Sequence, residues 1–260
     1  MIERSPLHIQ RDVLLAMLIR ELKTRFGALK LGYAWMLLEP VVHVALFSAL
    51  FYFRGTEMYP GIPTPLFILV GIVPWLCFSK CIGLGLAAVS ANRGLFNYRQ
   101  VRPFDAVLAR VVLEFAVFLV SFIVLFILFA WFGVYSPFGD LLKFMAIFFL
   151  FFVFCLGVAL ILCVLGERFP EATKLVPVFL RPMYFLSGIF FSLEHVPPQY
   201  HSFLSWNPML HIIELFRSAC FSKFGGFFAD FNFIIIFTIC SIFFGLLVYR
   251  VNWVELVRSK

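Results

Sequence analysis

The side chains best suited to chemistry in this chain are histidines and glutamates that gather in one segment, residues 193–226. Such side chains serve as metal ligands and as general acids or bases. The HxxE spacing of His211 and Glu214 puts two of them on one helical face, but a metal site needs three or four converging ligands. We therefore favour a polar, water-facing role, with a metal or catalytic site and interfacial decoration as alternatives. The members of the cluster are Glu194, His195, His201, His211 and Glu214.

Nucleotide chemistry has no motif in this sequence. The pattern GxxxxGK[ST], which builds a phosphate-binding loop, does not occur. If ATP drives this protein, a separate polypeptide hydrolyses it and holds the ATP and magnesium, so no cofactor is expected in this chain. The six cysteines form no CxxC pair, and all but Cys220 lie inside apolar stretches, which indicates buried thiols rather than metal ligands or disulfides.

Charged residues inside apolar segments are costly and indicate function by default. Arg110 and Glu114 are four residues apart on one helix, so we expect them to pair. Lys80 and Arg181 either pair or snorkel, or they face a hydrophilic conduit for an anionic cargo. Glu39 precedes a proline, and we expect it to make an inter-helix contact.

The composition indicates whether the chain folds in water or in a lipid bilayer. Of its 260 residues, 63% are hydrophobic and 13% are charged, whereas a soluble domain is about half apolar and about a quarter charged. Most of the chain is therefore expected to lie in a bilayer. The net charge of +7 does not indicate nucleic-acid binding, because the basic residues lie at the ends of apolar segments, where they orient the chain and contact anionic lipid.

The apolar segments predict an all-α integral membrane protein with six transmembrane helices. The fifth segment is the weakest, because it contains Arg181 and two prolines. With both termini inside, fourteen Lys and Arg residues lie on the cytoplasmic side and four outside, which sets the orientation. The predicted spans are residues 33–53, 64–91, 106–134, 141–166, 174–192 and 227–249.

Residues 8–30 precede the first span and predict an amphipathic interface helix. Leu15, Leu18 and Leu22 recur every three or four residues, and Arg20 is expected mostly on the other side. The basic residues assigned to this interface helix are Arg20, Lys23, Arg25 and Lys30.

Residues 193–226 are too broken by prolines to cross a bilayer and too apolar to form a free loop. Asn207 and Pro208 make a good N-cap and first turn for a helix over residues 208–221. We predict short re-entrant helices that dip into the outer leaflet and form a gate. The predicted gate residues are His195, Tyr200, Trp206, His211 and Glu214.

The first inner loop, residues 92–104, is basic and aromatic and too short to be a domain. It is either an ordinary positive-inside loop or a short coupling helix that docks into a cytoplasmic partner through its rings and arginines. The residues assigned to this coupling role are Arg93, Phe96, Asn97, Tyr98, Arg99 and Arg102.

Four stretches of the sequence resemble a known family in order and spacing. They are "RELKTRFGALKLGYAWMLLEP", "GLFNYRQVRPFD", "GERFPEATKLVPVFLRPMYFLSGIFF" and "WNPMLHIIELFR". The family is that of the membrane-spanning permeases of ATP-driven polysaccharide exporters, particularly the capsular polysaccharide exporters of Gram-negative bacteria. The resemblance covers nearly the whole chain. It implies an interface helix, six spans, a coupling helix between the second and third spans, and short periplasmic helices before the sixth.

The resemblance also implies partners. Two copies pair, and two ATPase subunits dock beneath them on residues 8–30 and 92–104, while residues 195–221 close the periplasmic side. A candidate polysaccharide path through Lys80, Arg181, Tyr184 and Phe185 is our own inference rather than a family motif. Twelve helices of a homodimer can surround a hydrated sugar chain, whereas six cannot.

The function that follows is the membrane subunit of a homodimeric exporter of capsular polysaccharide, anionic and lipid-anchored, at the Gram-negative inner membrane. Both termini are expected in the cytoplasm, with periplasmic and outer-membrane export proteins as further partners and no nucleic acid. A near alternative is the equivalent subunit for O-antigen or teichoic-acid chains. A distant alternative is a membrane-embedded enzyme that acts on lipid-linked sugar through the His/Glu cluster.

Overall fold

The computed structural model describes residues 6–26, 32–53, 55, 58–98, 100–226 and 228–257. Within these residues the chain is helical and contains no β-strand beyond two isolated bridges. Short 3-10 helices cover Ser90–Leu95, Leu193–His195 and Pro198–Tyr200. The α-helices of the described part are α1 (Pro6–Phe26), α2 (Gly32–Phe53), α3 (Thr64–Leu86), α4 (Pro103–Trp131), α5 (Leu141–Arg168), α6 (Ala172–Leu186), α7 (His201–Leu204), α8 (Pro208–Cys220) and α9 (Phe231–Val257).

Four of the described helices are long and apolar enough to cross a bilayer, namely α3, α4, α5 and α9. They correspond to four of the predicted spans, but their ends differ. The second predicted span ran to residue 91, whereas α3 ends at Leu86 and a 3-10 helix follows. The third begins earlier than predicted, because Pro103 fits the first helical turn and the Asp105 carboxylate accepts a hydrogen bond from the Arg102 backbone N–H.

The predicted first and fifth spans correspond to α2 and α6. The long apolar stretch of α2 is Leu37–Phe53. Helix α6 has 15 residues and ends at Leu186, not at residue 192 as predicted. It ends there because the chain turns at Gly188, whose φ of 73° lies in the left-handed region that favours glycine. Residues 187–192 are therefore non-helical, and the predicted length of the fifth span is corrected.

Glycines allow the closest helix contacts. A Cβ atom built on Gly157 of α5 would lie 2.5 Å from the backbone nitrogen of Ile242 in α9. One built on Gly245 of α9 would lie 2.5 Å from the carbonyl oxygen of Gly157. Small residues let helix backbones approach in lipid, where packing replaces the hydrophobic effect as the cause of association. The pair Gly157 and Gly245 therefore sets the crossing of α5 and α9.

Phenylalanine rings form the core that holds α8 in place. Phe216 of α8 lies with its ring centroid 5.7 Å from Phe118 of α4 and 6.0 Å from Phe151 of α5. All three side chains are buried. Edge-to-face pairs of this kind stabilise beyond the area they bury. Helix α8, although too short to cross a bilayer, is thus packed against two of the spanning helices.

Candidate functional site

Two of the three cations predicted inside apolar segments have acidic partners. Lys80 Nζ of α3 lies 2.5 Å from Glu39 Oε2 of α2, so the inter-helix contact predicted for Glu39 is confirmed. Arg110 Nε of α4 lies 3.1 Å from Glu21 Oε1 of α1. The spacing of Arg110 and Glu114 could not identify Glu21, because that partner comes from another helix.

Arg181 of α6 is different. Its side chain is exposed, and no carboxylate or hydrogen-bond partner for it occurs among the described residues. It lines an open cleft of about 400 Å³ between α2, α3 and α6, together with Tyr184 and Phe185. Three of the four predicted path residues therefore lie together. Lys80 is apart from them and lines a separate, smaller cavity beside Glu114.

The cleft also contains groups that sequence reasoning missed. His43 of α2 and Ser79 and Trp75 of α3 line it from the sides opposite α6. The ring of Trp75 lies edge-on to that of Tyr184, with centroids 5.9 Å apart. The Tyr184 hydroxyl is buried and has no hydrogen-bond partner among the described residues. A buried hydroxyl without a partner costs free energy unless a ligand or water satisfies it.

Helix α8 carries Arg217, whose side chain contacts the segment that follows α6. Its Nη1 atom donates to the carbonyl oxygens of Gly188 at 2.7 Å and Phe191 at 3.0 Å, and its Nη2 atom donates to that of Ile189 at 2.7 Å. The side chain is 0% exposed. Burial lowers the pKa of Arg217 to about 9, opposed by the nearby Glu214 carboxylate, so the guanidinium remains charged at neutral pH. It satisfies the carbonyls of the non-helical segment that follows α6.

The sequence predicts Arg217 among the basic residues of the outer side, and the structure shows that its side chain is fully buried. The signal available was the spacing of Glu214 and Arg217, three apart on one helix. The structure places Glu214 Oε1 3.7 Å from Arg217 Nη1. A buried charge needs such a partner together with hydrogen bonds to the rest of the group.

Glu214 is buried as well, and it does not face water as predicted. Its carboxylate accepts hydrogen bonds from the Ser192 hydroxyl at 3.3 Å and from the Leu193 backbone N–H at 3.4 Å. Burial raises the pKa of Glu214, while Arg217 and these donors lower it. Glu214 thus holds the segment after α6 from one side, as Arg217 does from the other.

His211 is the second predicted gate residue that proves to be buried. The Asp230 backbone N–H donates to its Nδ1 atom at 3.1 Å, and its Nε2 atom lies 2.8 Å from the Ser205 carbonyl oxygen. Since Nδ1 accepts, Nε2 must carry the proton and donate. Burial lowers the pKa of His211, which favours this neutral form. Both ring nitrogens make hydrogen bonds within the chain, so the prediction that His211 faces water is wrong.

The other predicted gate residues lie at the surface. Trp206 is 77% exposed, and Tyr200 and His195 are exposed as well. His195 packs edge-on against Tyr59, whose hydroxyl donates to Glu194 Oε2 at 3.0 Å. Asn207 caps α8 as predicted, since its side chain accepts from the Met209 backbone N–H at 3.0 Å. No group of three or more potential metal ligands occurs in the part of the chain that the structure describes.

Helix α1 overlaps the predicted interface segment, but Arg20 faces inward rather than away. Its Nη1 atom donates to Asn92 Oδ1 at 2.6 Å, in the 3-10 helix that follows α3. With the pair of Glu21 and Arg110, this joins α1 both to that 3-10 helix and to α4. Lys23 is exposed, the Arg25 side chain is outside the described part, and Lys30 lies outside the described residues.

The coupling segment is a 3-10 helix, Ser90–Leu95, rather than a helix over residues 92–104. Phe96 is 7% exposed, so its ring packs into the core of this chain and is not presented to a partner as predicted. Tyr98 is 66% exposed. Asn97 and Arg102 are exposed, and Arg93 forms an ion pair with Glu167 of α5. The remaining residue assigned to this role, Arg99, lies outside the described residues.

Comparison with known proteins agrees with this architecture. A model of the family described as ABC2_membrane, ABC-2 type transporter, matches residues 12–221. The polysialic acid transport protein KpsM of Escherichia coli is 36% identical over 256 residues, which cover 98% of this chain and 99% of the relative. The capsule polysaccharide export inner-membrane protein BexB of Haemophilus influenzae is 25% identical over 95% of this chain and 93% of its own. The corresponding protein CtrC of Neisseria meningitidis serogroup B is 27% identical over 84% of this chain and 82% of its own.

The family match spans most of the chain, from α1 to the residue after α8. It includes the cleft, Arg217 with its carbonyl partners and Glu214, and the contacts between α1 and the 3-10 helix Ser90–Leu95. On this match, and on the near full-length similarity to KpsM, the chain belongs to the ABC-2 type transporter family.

Proposed function

We propose that this chain is the membrane-spanning subunit of an ATP-driven exporter that moves capsular polysaccharide across the bacterial inner membrane. The observation that carries the proposal is the near full-length similarity to permeases named for polysaccharide transport and capsule export. The chain is a transport permease and not an enzyme. ATP and magnesium bind to a separate ATPase subunit, two copies of which dock on the cytoplasmic side.

The six-span topology is part of this proposal. Helices α2 and α6 cross together with α3, α4, α5 and α9. At 1.5 Å per residue, α6 is about 22 Å long, shorter than a hydrocarbon core of about 30 Å. The non-helical residues 187–192 and the short helices after them complete the passage. Arg217 donates to the carbonyl oxygens of Gly188 and Ile189 in the non-helical part. Both termini lie in the cytoplasm.

A homodimer forms the conduit. The exposed faces of α2 and α6 carry large apolar side chains, among them Trp35, Leu46, Phe179 and Phe185. Arg181 is exposed on α6 as well, and a charge at membrane depth is costly if it faces lipid. A second copy placed against α2 and α6 covers these faces and turns the open cleft into part of an enclosed path.

The ATPase pair docks on α1 and on the coupling segment. Asn97, Tyr98 and Arg102, which follow that segment, are exposed, and Arg99 lies in the same stretch of the sequence. Arg93 contacts Glu167 at the end of α5, and Arg168 contacts Glu255 of α9 at 3.1 Å. A force on the coupling segment can therefore reach α5 and α9 through side-chain contacts.

On the outer side, residues 193–226 form the gate, with His195, Tyr200 and Trp206 at its surface and His211 and Glu214 as its internal supports. The cargo is a lipid-linked, anionic capsular polysaccharide, and the released polymer passes to periplasmic and outer-membrane export proteins. Arg181, Tyr184 and Phe185 line its path. Lys80 does not line that path; its ion pair with Glu39 holds α2 against α3 beside it.

Deletion of the gene in its native host tests this function. We expect capsular polymer to be synthesised and to accumulate inside the cell, and a plasmid copy to restore it to the surface. A normal capsule on the deletion strain would contradict the proposal. Loss of polymer synthesis itself would point instead to the enzymatic alternative.

A further inference from the structure

The cations of the membrane segments differ in whether their charge is balanced. Lys80 is paired with Glu39, and Arg110 is paired with Glu21. Arg181 has no acidic partner among the described residues, although it lies in an apolar helix between two prolines. Since an unbalanced charge at membrane depth is costly, Arg181 fits a site for an anion that arrives from outside the chain.

The surroundings of Arg181 resemble a binding site more than a lipid contact. The cleft offers the His43 ring and the Ser79 hydroxyl on one side and the Tyr184 ring on the other. The Tyr184 hydroxyl is buried and has no hydrogen-bond partner among the described residues. A ligand with hydroxyl groups that displaces the side chains covering this atom would supply the missing partner, which a hydrocarbon tail cannot do.

The walls of the cleft fit a sugar ring. Trp75, Tyr184 and Phe185 present aromatic surface, while His43, Ser79 and Arg181 supply polar groups. Sugars carry apolar C–H faces together with hydroxyl groups, so they need this combination. An arginine beside such a surface selects a sugar that bears a carboxylate or phosphate, because the guanidinium binds planar anions with two parallel hydrogen bonds.

We propose that this cleft, formed by His43, Trp75, Ser79, Arg181, Tyr184 and Phe185, is a binding subsite for an acidic sugar residue of the polymer, with Arg181 as its anion-binding group. The inference rests on the proposed function and specifies the substrate class. It also separates the predicted path residues, because Lys80 is neutralised by Glu39 and does not bind the polymer.

A binding measurement tests the proposed subsite without requiring transport. The full chain with its ATPase subunits is placed in nanodiscs of phosphatidylcholine, and affinity is measured for a short acidic oligosaccharide and for a neutral oligosaccharide of the same length. We expect Arg181→Gln to weaken binding of the acidic oligosaccharide about 10-fold, which is one charge-assisted hydrogen bond, and to leave the neutral one unchanged. Tyr184→Phe should weaken both about 3-fold.

Lys143→Gln is the matched control, because it removes an exposed cation at the start of α5, outside the cleft. It should bind both oligosaccharides as the wild type does. A second set of nanodiscs containing phosphatidylglycerol tests whether the anion is a lipid phosphate. If that lipid displaces the acidic oligosaccharide in the wild type but not in Arg181→Gln, the site belongs to lipid and the inference is overturned.

Equal affinity of Arg181→Gln and the wild type for the acidic oligosaccharide would also overturn it. If the wild-type complex exports polymer in the same preparation, such a result removes only the subsite and leaves the proposed function standing. If the wild type neither binds the oligosaccharides nor exports polymer, the proposed function fails and the subsite fails with it.

Discussion

The guanidinium carbon of Arg217 lies 3.5 Å from the centroid of the Phe67 ring, and both side chains are 0% exposed. Arg217 belongs to α8 and Phe67 to the first turns of α3. The contact joins the short helix α8 to the long helix α3 through a charge stacked on an aromatic face, an arrangement that gains strength when water is excluded. Gly71 makes room for it, because a Cβ atom there would lie 3.0 Å from Arg217 Nη2.

Replacement of Arg217 should destabilise the contacts between α8 and the segment that follows α6. Arg217→Met leaves the carbonyls of Gly188 and Ile189 without a donor and leaves Glu214 buried without a cation. Removal of one partner of a buried pair costs about 3 kcal/mol or more. We expect a lower midpoint of thermal unfolding in detergent and faster proteolysis of residues 187–192.

The conservative and double variants control this prediction. Arg217→Lys keeps the charge but cannot donate to three carbonyls in one plane, so it should recover only part of the stability. Arg217→Met combined with Glu214→Gln removes the unpaired carboxylate and should be more stable than Arg217→Met alone. Equal stability of the wild type and Arg217→Met would show that the contacts around Arg217 do not hold this region.

His211 should make stability depend on pH. Burial lowers its pKa from the ordinary 6.5, and protonation would place an N–H at Nδ1 against the N–H of Asp230. Below about pH 6.5 the unfolded chain binds a proton that the folded chain does not bind, so the free energy of unfolding falls as the pH drops. Thermal unfolding in detergent between pH 7.5 and pH 5.5 measures this.

His211→Gln is the control for the pH dependence, because it has no group that titrates there. Glu214 acts in the opposite direction, since burial raises its pKa, and it is present in both proteins. The difference between the two pH profiles therefore isolates His211. A wild-type profile that is no steeper than that of His211→Gln would contradict the neutral, doubly bonded histidine.

The crossing of α5 and α9 should not tolerate a single added methyl group. Gly157→Ala and Gly245→Ala each place a Cβ atom about 2.5 Å from backbone of the facing helix, so the helices must move apart at a cost of about 1–3 kcal/mol. Gly83→Ala in α3 is the matched control, because nothing lies within 4 Å of its Cβ position. We expect the first two variants to have lower unfolding midpoints and Gly83→Ala to match the wild type.

The contact of α1 with α4 should transmit the motion of the ATPase. Glu21→Lys places a cation beside Arg110, in a pair whose side chains are 14% and 8% exposed. We expect ATP hydrolysis by the reconstituted complex to continue while polymer export falls. Gln10→Ala changes an exposed residue of α1 and should leave both rates unchanged.

A charge exchange tests the same contact from both sides. The combination of Glu21→Arg and Arg110→Glu restores opposite charges, so it should recover part of the export that either single variant loses. If Glu21→Lys exports polymer at the wild-type rate, the pair does not couple the two helices. If the exchange is no better than the single variants, the effect does not come from this pair.

The features that the sequence predicted are those that depend on near neighbours. The four longest apolar segments became helices, and Asn207 with Pro208 began α8 as expected, because a cap is decided within one turn. The burial of Phe96 and Arg217 could not be read in the same way. It depends on other segments of the chain. For Arg217 these are Phe67 and residues 188–191, which approach its side chain only in the folded protein.

In the candidate site, too, the residues close together in the sequence were predictable and those from other helices were not. Arg181, Tyr184 and Phe185 lie within five residues of one another on α6, and the sequence placed them together correctly. His43 and Ser79 come from two other helices, and no spacing rule connects them to α6. Lys80 was assigned to the path because its charge is visible in the sequence, whereas its pairing with Glu39 is visible only in the structure.

Reconstitution tests the central claim most directly, namely that this chain is a conduit powered by a separate ATPase. The purified chain is placed in vesicles alone or with its ATPase subunits, and the transfer of labelled acidic polymer across the membrane is measured with and without ATP. We predict transfer only when the ATPase subunits and ATP are both present, and no hydrolysis of ATP by the chain alone. Transfer or chemical modification of the polymer by the chain alone would contradict the account.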